Sequence, residues 1–161
     1  MEEVVKAIVT NSDPGILQRF LDKNRFEFQI KEIIVEAAAR NRYNGHQMIA
    51  LLLKANGGEV PVTGKAISAA LYNPISGEKI LALLVETSAH TIPMTEETIT
   101  GIARHMGGSV FRQLIEKRGS EIPLTGEVIE AVAACPRNCK EVMVSLLEHG
   151  IATNDAIEGV I

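Results

Sequence analysis

The sequence has no tryptophan, and aromatic residues fill only 4% of its 161 positions. So few rings leave little material for a base-stacking platform or an aromatic-lined cofactor cavity. There is no basic excess either. Sixteen Lys and Arg face 20 Asp and Glu, for a net charge of −4. Domains that grip nucleic acid usually carry the opposite balance. No apolar run approaches the roughly 20 residues of a membrane-spanning helix, the longest being stretches such as MIALLL at 48–53. The start, MEEVVKAIVT, lacks the basic and apolar regions of a signal peptide, so the expected location is cytoplasmic, with no membrane partner. Cysteine is scarce: Cys135 and Cys139 stand alone in CPRNC. A structural zinc site wants four Cys or His ligands, and only His149 lies nearby. Two reduced thiols and no metal are expected.

Motifs for chemistry are also missing. There is no G-x-S-x-G, and no Ser, Cys or Lys nucleophile has an evident base partner. GGEVPVTGKA at 57–66 has a Gly-Lys pair, but a phosphate loop needs G-x4-G-K-[ST] after a strand. Here Gly58 is one residue too far from Gly64, and Ala66 replaces the hydroxyl. His46, His90, His105 and His149 form no common column. Glu2, Glu32 and Glu96 stand where a first helical turn favours negative charge. No catalytic residue, cofactor or metal ligand is expected, so the chain reads as no enzyme.

What the chain does have is 46% hydrophobic residues, enough for one sizeable core, and a repeated phrase. EVPVT (59–63), TIPMT (91–95) and EIPLT (121–125) punctuate it. Aligned on this phrase, repeats run 1–30, 31–62, 63–94, 95–124 and 125–152, with a partial sixth at 153–161. The fifth position is always a branched aliphatic: Val5, Val35, Ile67, Ile99, Ile129 and Ile157. The seventh is always small: Ala7, Ala37, Ala69, Gly101, Ala131 and Gly159. The position between them is always polar. The second half of each repeat also recurs, as FLD, LLK, LVE, LIE and LLE, each with an apolar pair upstream.

Each repeat therefore reads as helix A, loop, helix B, loop. Helix A is expected over roughly 32–40, 64–72, 96–104 and 126–134, and helix B over roughly 46–55, 78–87, 109–117 and 140–149. The first pair falls near 2–9 and 15–23. Such short helices are marginal alone and need neighbours. The fold class is then all-α, a right-handed α-solenoid of five helix-turn-helix repeats plus the first helix of a sixth.

The phrase has a physical sense. Thr is a good N-cap, contributing about 1 kcal/mol. The apolar residue before it is placed to staple the residue five beyond, as in Val62/Ile67, Met94/Ile99 and Leu124/Ile129. Pro61, Pro93 and Pro123 stop helix B and keep the connector straight. Asn11, Asn41 and Asn73 end helix A, where a left-handed turn residue is expected. Leu51 and Leu83 occupy a helix B column that is polar elsewhere and are expected in the core. The candidate partner-binding residues cluster around the A-to-B loops: Arg40, Arg42, Tyr43, Arg104, His105, Arg137 and Lys140. Stacked repeats would set them along one edge as a broken cationic stripe.

With these columns, KEIIVEAAARN (31–41), GHQMIALLLKANGGEVPVT (45–63) and TGEVIEAVAACPRNCKEVMVSLLEHG (125–150) resemble the short helical repeats of large fungal proteins. Those are often STAND-type receptors with a NACHT nucleotide-switch domain, or ankyrin-bearing relatives. The resemblance implies a sensor array for a protein partner or other ligand, packed against neighbouring repeats of a longer chain. It implies no catalytic residue. Lys31 in place of the capping Thr, the missing residue before Gly108 and the Cys-containing loop depart from it. A weaker likeness joins MTEETITGIARHMGGSV (94–110) to transcription-activator-like effector repeats, which implies a nucleic-acid reader working through the A-to-B loops. The drifting repeat length and acidic balance argue against that alternative.

Overall fold

In a computed structural model of the chain, residues 1–24, 29–106, 108–135 and 139–150 are described, with only the backbone for Cys139, His149 and Gly150. Every regular element among them is a helix. The partial sixth repeat at 153–161, Arg137 and the side chains of Cys139 and His149 lie outside the described residues.

The chain forms two compact units, Met1–Ile92 and Pro93–Ile161. The first holds three hairpins. They are α1 (Glu2–Asn11) with α2 (Pro14–Lys23), α3 (Glu32–Arg40) with α4 (Gly45–Ala55), and α5 (Gly64–Leu71) with α6 (Gly77–Ser88). The second holds α7 (Glu96–His105) with α8 (Gly108–Arg118), and α9 (Gly126–Ala133) with α10 (Cys139–Gly150). The ten helices expected in the first five repeats are present, with ends moved by no more than two residues.

Within the first unit α3 packs between α1 and α5, and α4 between α2 and α6. Helices A form one layer and helices B a second. In the second unit α7 packs on α9 and α8 on α10, in the same manner. This layering follows from the columns. Ile34, Val35, Ala38 and Ala39 are all buried on α3, so that helix is covered on two sides. Met48, Ile49, Leu52 and Leu53 do the same on α4. Each such aliphatic side chain contributes roughly 1.5–3 kcal/mol by leaving water. The small seventh position is buried at Ala37 and Ala131, half-buried at Ala69 and Gly101, and exposed at Ala7.

Capping follows the phrase. Thr63, Thr95 and Thr125 each accept from the backbone N–H three residues on, at 3.3 Å. Lys31 and Met1 stand at the same position without a side-chain cap. The connector before α5 ends α4 on Gly57 and Gly58, whose φ values of 73° and 98° favour glycine. There Gly58 N–H reaches Leu53 O at 2.8 Å, closing a Schellman turn. Two other connectors are not straight. Ala89–Thr91 and Gly119–Glu121 form single 3-10 turns before their prolines. The staple positions Ile30, Val35, Val62 and Ile67 are buried, but Ile129 is 46% exposed. The expected staple therefore fails to seal in the fifth repeat. Leu51 and Leu83 are half-buried rather than core.

Candidate functional site

The second and third A-to-B loops of the first unit are each built on a buried asparagine. Asn41 Nδ2 donates to Val9 O, near the end of α1, at 2.9 Å. Asn73 Nδ2 donates to Ala39 O and Asn41 O, each at 2.9 Å. Each amide thus reaches back one hairpin to carbonyls at the end of the preceding helix A, where the helix's own N–H donors run out. The amide oxygen serves its own loop. Asn41 Oδ1 accepts from Asn44 N, and Asn73 Oδ1 from Ile75 N and Ser76 N. The expected left-handed turn residue is absent at Asn41, which is extended at φ −65°, ψ 109°. That conformation points the amide at the preceding hairpin, where a left-handed turn would serve only its own helix.

Glycine completes the loop. Gly45 N–H and Gly77 N–H return to Asn41 O and Asn73 O at 3.1 Å. A Cβ on Gly77 would lie 2.1 Å from Ala70 O, and one on Gly45 would lie 2.8 Å from Ala38 O. Helix B can start this close to helix A only without a side chain. The motif is N-x3-G, present at 11–15, 41–45 and 73–77. Sequence reading found the Asn column but missed its pairing with the Gly four residues later. Ser76 Oγ adds a further tie, donating to Arg42 O and Tyr43 O.

These buried ties hold the intervening residues outward. Tyr43 is 68% exposed, Tyr72 75% and Ile75 50%. The chain has only two tyrosines, and both stand on these consecutive loops. Arg42 lies over the Tyr43 ring, 5.9 Å from its centroid. An exposed cation–π contact of this kind is worth about 0.5–1 kcal/mol. Among the described residues Arg42 forms no ion pair. Arg40 is instead bound to Glu36, one turn back on α3, at 2.6 Å. The result is a ledge of Arg42, Tyr43, Tyr72 and Ile75. In the second unit Arg104, His105 and Lys140 are exposed. The His105 ring is within 3.1 Å of Gly101 O.

The opposite edge of the first unit is tied differently. Val60 N–H donates to the buried Ser88 hydroxyl, and Thr91 Oγ1 donates to Val60 O and Ser88 O. The side chains there are spent on joining one connector to the next. In the second unit Arg118, largely buried, grips the exposed Glu121 through Nε at 2.8 Å and a second nitrogen. That hydrogen bond, then the nearby positive charge, holds the Glu121 carboxyl below its usual range.

The model of one protein family, described as "Domain of unknown function (DUF7104)", matches at residues 20–48, 51–80 and 114–143, more than half of the chain. The chain belongs to the DUF7104 family. Each DUF7104 match starts late in one helix B, spans a connector and a whole helix A, and ends early in the next helix B. The N-x3-G loops at 41–45 and 73–77 fall inside the first two matches. The gap between the second and third matches holds α7, the helix A of the fourth repeat. No curated protein and no solved structure matches the chain.

Proposed function

We propose that this DUF7104 array is a non-enzymatic scaffold that recognises a protein partner through the ledge of Arg42, Tyr43, Tyr72 and Ile75. The single observation behind this is the placement of both tyrosines, exposed, on loops whose buried asparagines hold them in place. Tyr and Arg are the residue types that most often carry binding energy in protein interfaces. A rigid aromatic side chain also loses little rotational freedom on binding. The likeness to STAND-type sensor arrays supports the same role and a cytoplasmic setting. Arg40, at the end of α3 beside the first of these loops, then tunes the charge around the contact.

The test is a quantitative capture from native lysate, comparing the chain with a Tyr43→Ala/Tyr72→Ala variant. Both side chains are exposed, so the variant should keep its fold. A partner retained by the chain and lost from the variant supports the ledge. Equal capture by both refutes it. Random duplex DNA serves as the control. Binding that falls steeply with salt would favour a nucleic-acid reader instead.

A further inference from the structure

Asn-Gly occurs twice in the chain, at 44–45 and 56–57. Glycine has no side chain to keep its backbone nitrogen from closing on the side chain of the residue before it. The two asparagines start from nearly the same backbone, φ −112°, ψ 6° at Asn44 and φ −111°, ψ 28° at Asn56. Starting geometry therefore does not separate them. What has to move does. Gly45 is buried at the start of α4 and donates to Asn41 O at 3.1 Å. A Cβ on it would lie 2.8 Å from Ala38 O, so its backbone is packed against α3. Asn44 N–H donates to Asn41 Oδ1, and Asn44 O accepts from Met48 N–H, both at 2.9 Å. Turning this peptide would take the start of α4 apart.

Asn56 follows Ala55, the last residue of α4, and residues 56–59 are all exposed. A Cβ on Gly57 or Gly58 would meet nothing within 4 Å. Among the described residues Gly57 N–H makes no hydrogen bond. Two bonds hold the side chain and the turn, Asn56 Nδ2 to Glu59 O at 2.7 Å and Gly58 N–H to Leu53 O at 2.8 Å. Opening them is local and leaves the buried face of α4 in place.

We propose that Asn56 is a self-modifying site, where the folded chain converts its own amide to a carboxylate while Asn44 is kept from doing so. The Gly57 nitrogen loses its proton and attacks Asn56 Cγ. A C–N bond forms, the Cγ–Nδ2 bond breaks, and the amide nitrogen leaves as ammonia, having taken up a proton. The product is a five-membered cyclic imide. Water then adds across one of its two carbonyl–nitrogen bonds. Opening on the side-chain carbonyl gives aspartate, and opening on the main-chain carbonyl gives isoaspartate. Water is the sole co-reactant. Either product replaces a donor by an acceptor, so the tie to Glu59 O is lost. It also sets a negative charge at the C-terminal end of α4, where the helix dipole disfavours it. The site lies on a connector, apart from the ledge, and does not depend on it.

Peptide mapping by mass spectrometry tests this on the full chain, aged in native buffer at mildly alkaline pH. Trypsin places the two asparagines in separate peptides, 43–54 and 55–65. A digest taken before ageing sets the background. The 55–65 peptide should gain aspartate and isoaspartate at least about tenfold faster than the 43–54 peptide does. In urea the difference should vanish, because both asparagines then precede a free glycine. Equal rates in the folded chain would overturn the proposal, since the structure would then protect neither or both. So would a folded chain in which Asn56 stays intact while the urea sample converts.

Discussion

Replacing Asn73 by alanine should be one of the most costly single changes in the first unit. The side chain is buried and makes four hydrogen bonds, two donated to Ala39 O and Asn41 O and two accepted from Ile75 N and Ser76 N. At about 1 kcal/mol net for each bond, the loss comes to about 3–4 kcal/mol. The truncated loop keeps the unpaired backbone groups under cover, and burying them unpaired is the larger part of that cost. Asn41 makes two such bonds, so Asn41→Ala should cost about 2 kcal/mol. Asn11 occupies the same repeat position but is exposed, with no hairpin before it in these residues. Asn11→Ala should fall within about 0.5 kcal/mol of no change.

The assay is urea unfolding followed by far-UV circular dichroism, with the three variants measured side by side. Asn73→Asp sharpens it. Aspartate keeps the shape and the two acceptor bonds but loses the donor, and it sets a negative oxygen against two carbonyl oxygens. It should therefore destabilise at least as much as alanine does. If Asn11, Asn41 and Asn73 variants melt together, the cross-hairpin bonds carry no net stability and the asparagines only fill their loops. If Asn73→Asp is as stable as the native chain, the amide does not donate to the preceding hairpin.

Other changes follow from the same contacts. Gly77→Ala should fail to fold the first unit normally, because its Cβ would meet Ala70 O at 2.1 Å, whereas Gly64→Ala meets nothing within 4 Å and should be neutral or stabilising; thermal melts separate them. Thr95→Ala loses an N-cap and should cost about 1 kcal/mol in a urea melt. The Glu121 carboxyl is held below its ordinary value of 4.5 by the Arg118 hydrogen bond. A depressed carboxylate stabilises the fold above the unfolded value and loses that stabilisation as pH falls through the folded one. The stability gap between the chain and Arg118→Gln should therefore be steady near neutral pH and shrink once pH drops below 4.5, as a pH series of melts would show.

Much of the fold was legible because the signals are local. The Thr caps, the prolines and the spacing of apolar pairs act within one helix or one connector. A single repeat carries them in full, and the helix ends came within two residues. The role of Asn41 was not legible, because its partner Val9 O lies in the preceding hairpin. The propensity of asparagine for left-handed turns pointed elsewhere, and cross-hairpin bonding overrode it. The paired Gly45 and Gly77 would have been the better clue, since N-x3-G asks for close approach rather than for a turn alone. The ledge was half legible. Arg42 and Tyr43 were picked out from their loop position, but Tyr72 and Ile75 were not, because exposure is not written in residue type.

Repetition also hides direction. A branched aliphatic at every fifth position looks like one uniform core column. Internal hairpins cannot show which way it points, because both of their sides are covered. The outermost hairpins separate the two. Val5 is buried while Val4 is exposed, and Ile129 is exposed while Val128 is buried. The fifth position therefore faces forward and the fourth backward. This is also why the Leu124/Ile129 staple fails. Its outer partner belongs to the contact with a following hairpin, not to the turn before α9. Sequence pattern alone assigns both positions to the core, yet each needs a different neighbour before it is buried. Among the described residues, their exposure on opposite outer hairpins shows only that the two positions face opposite ways.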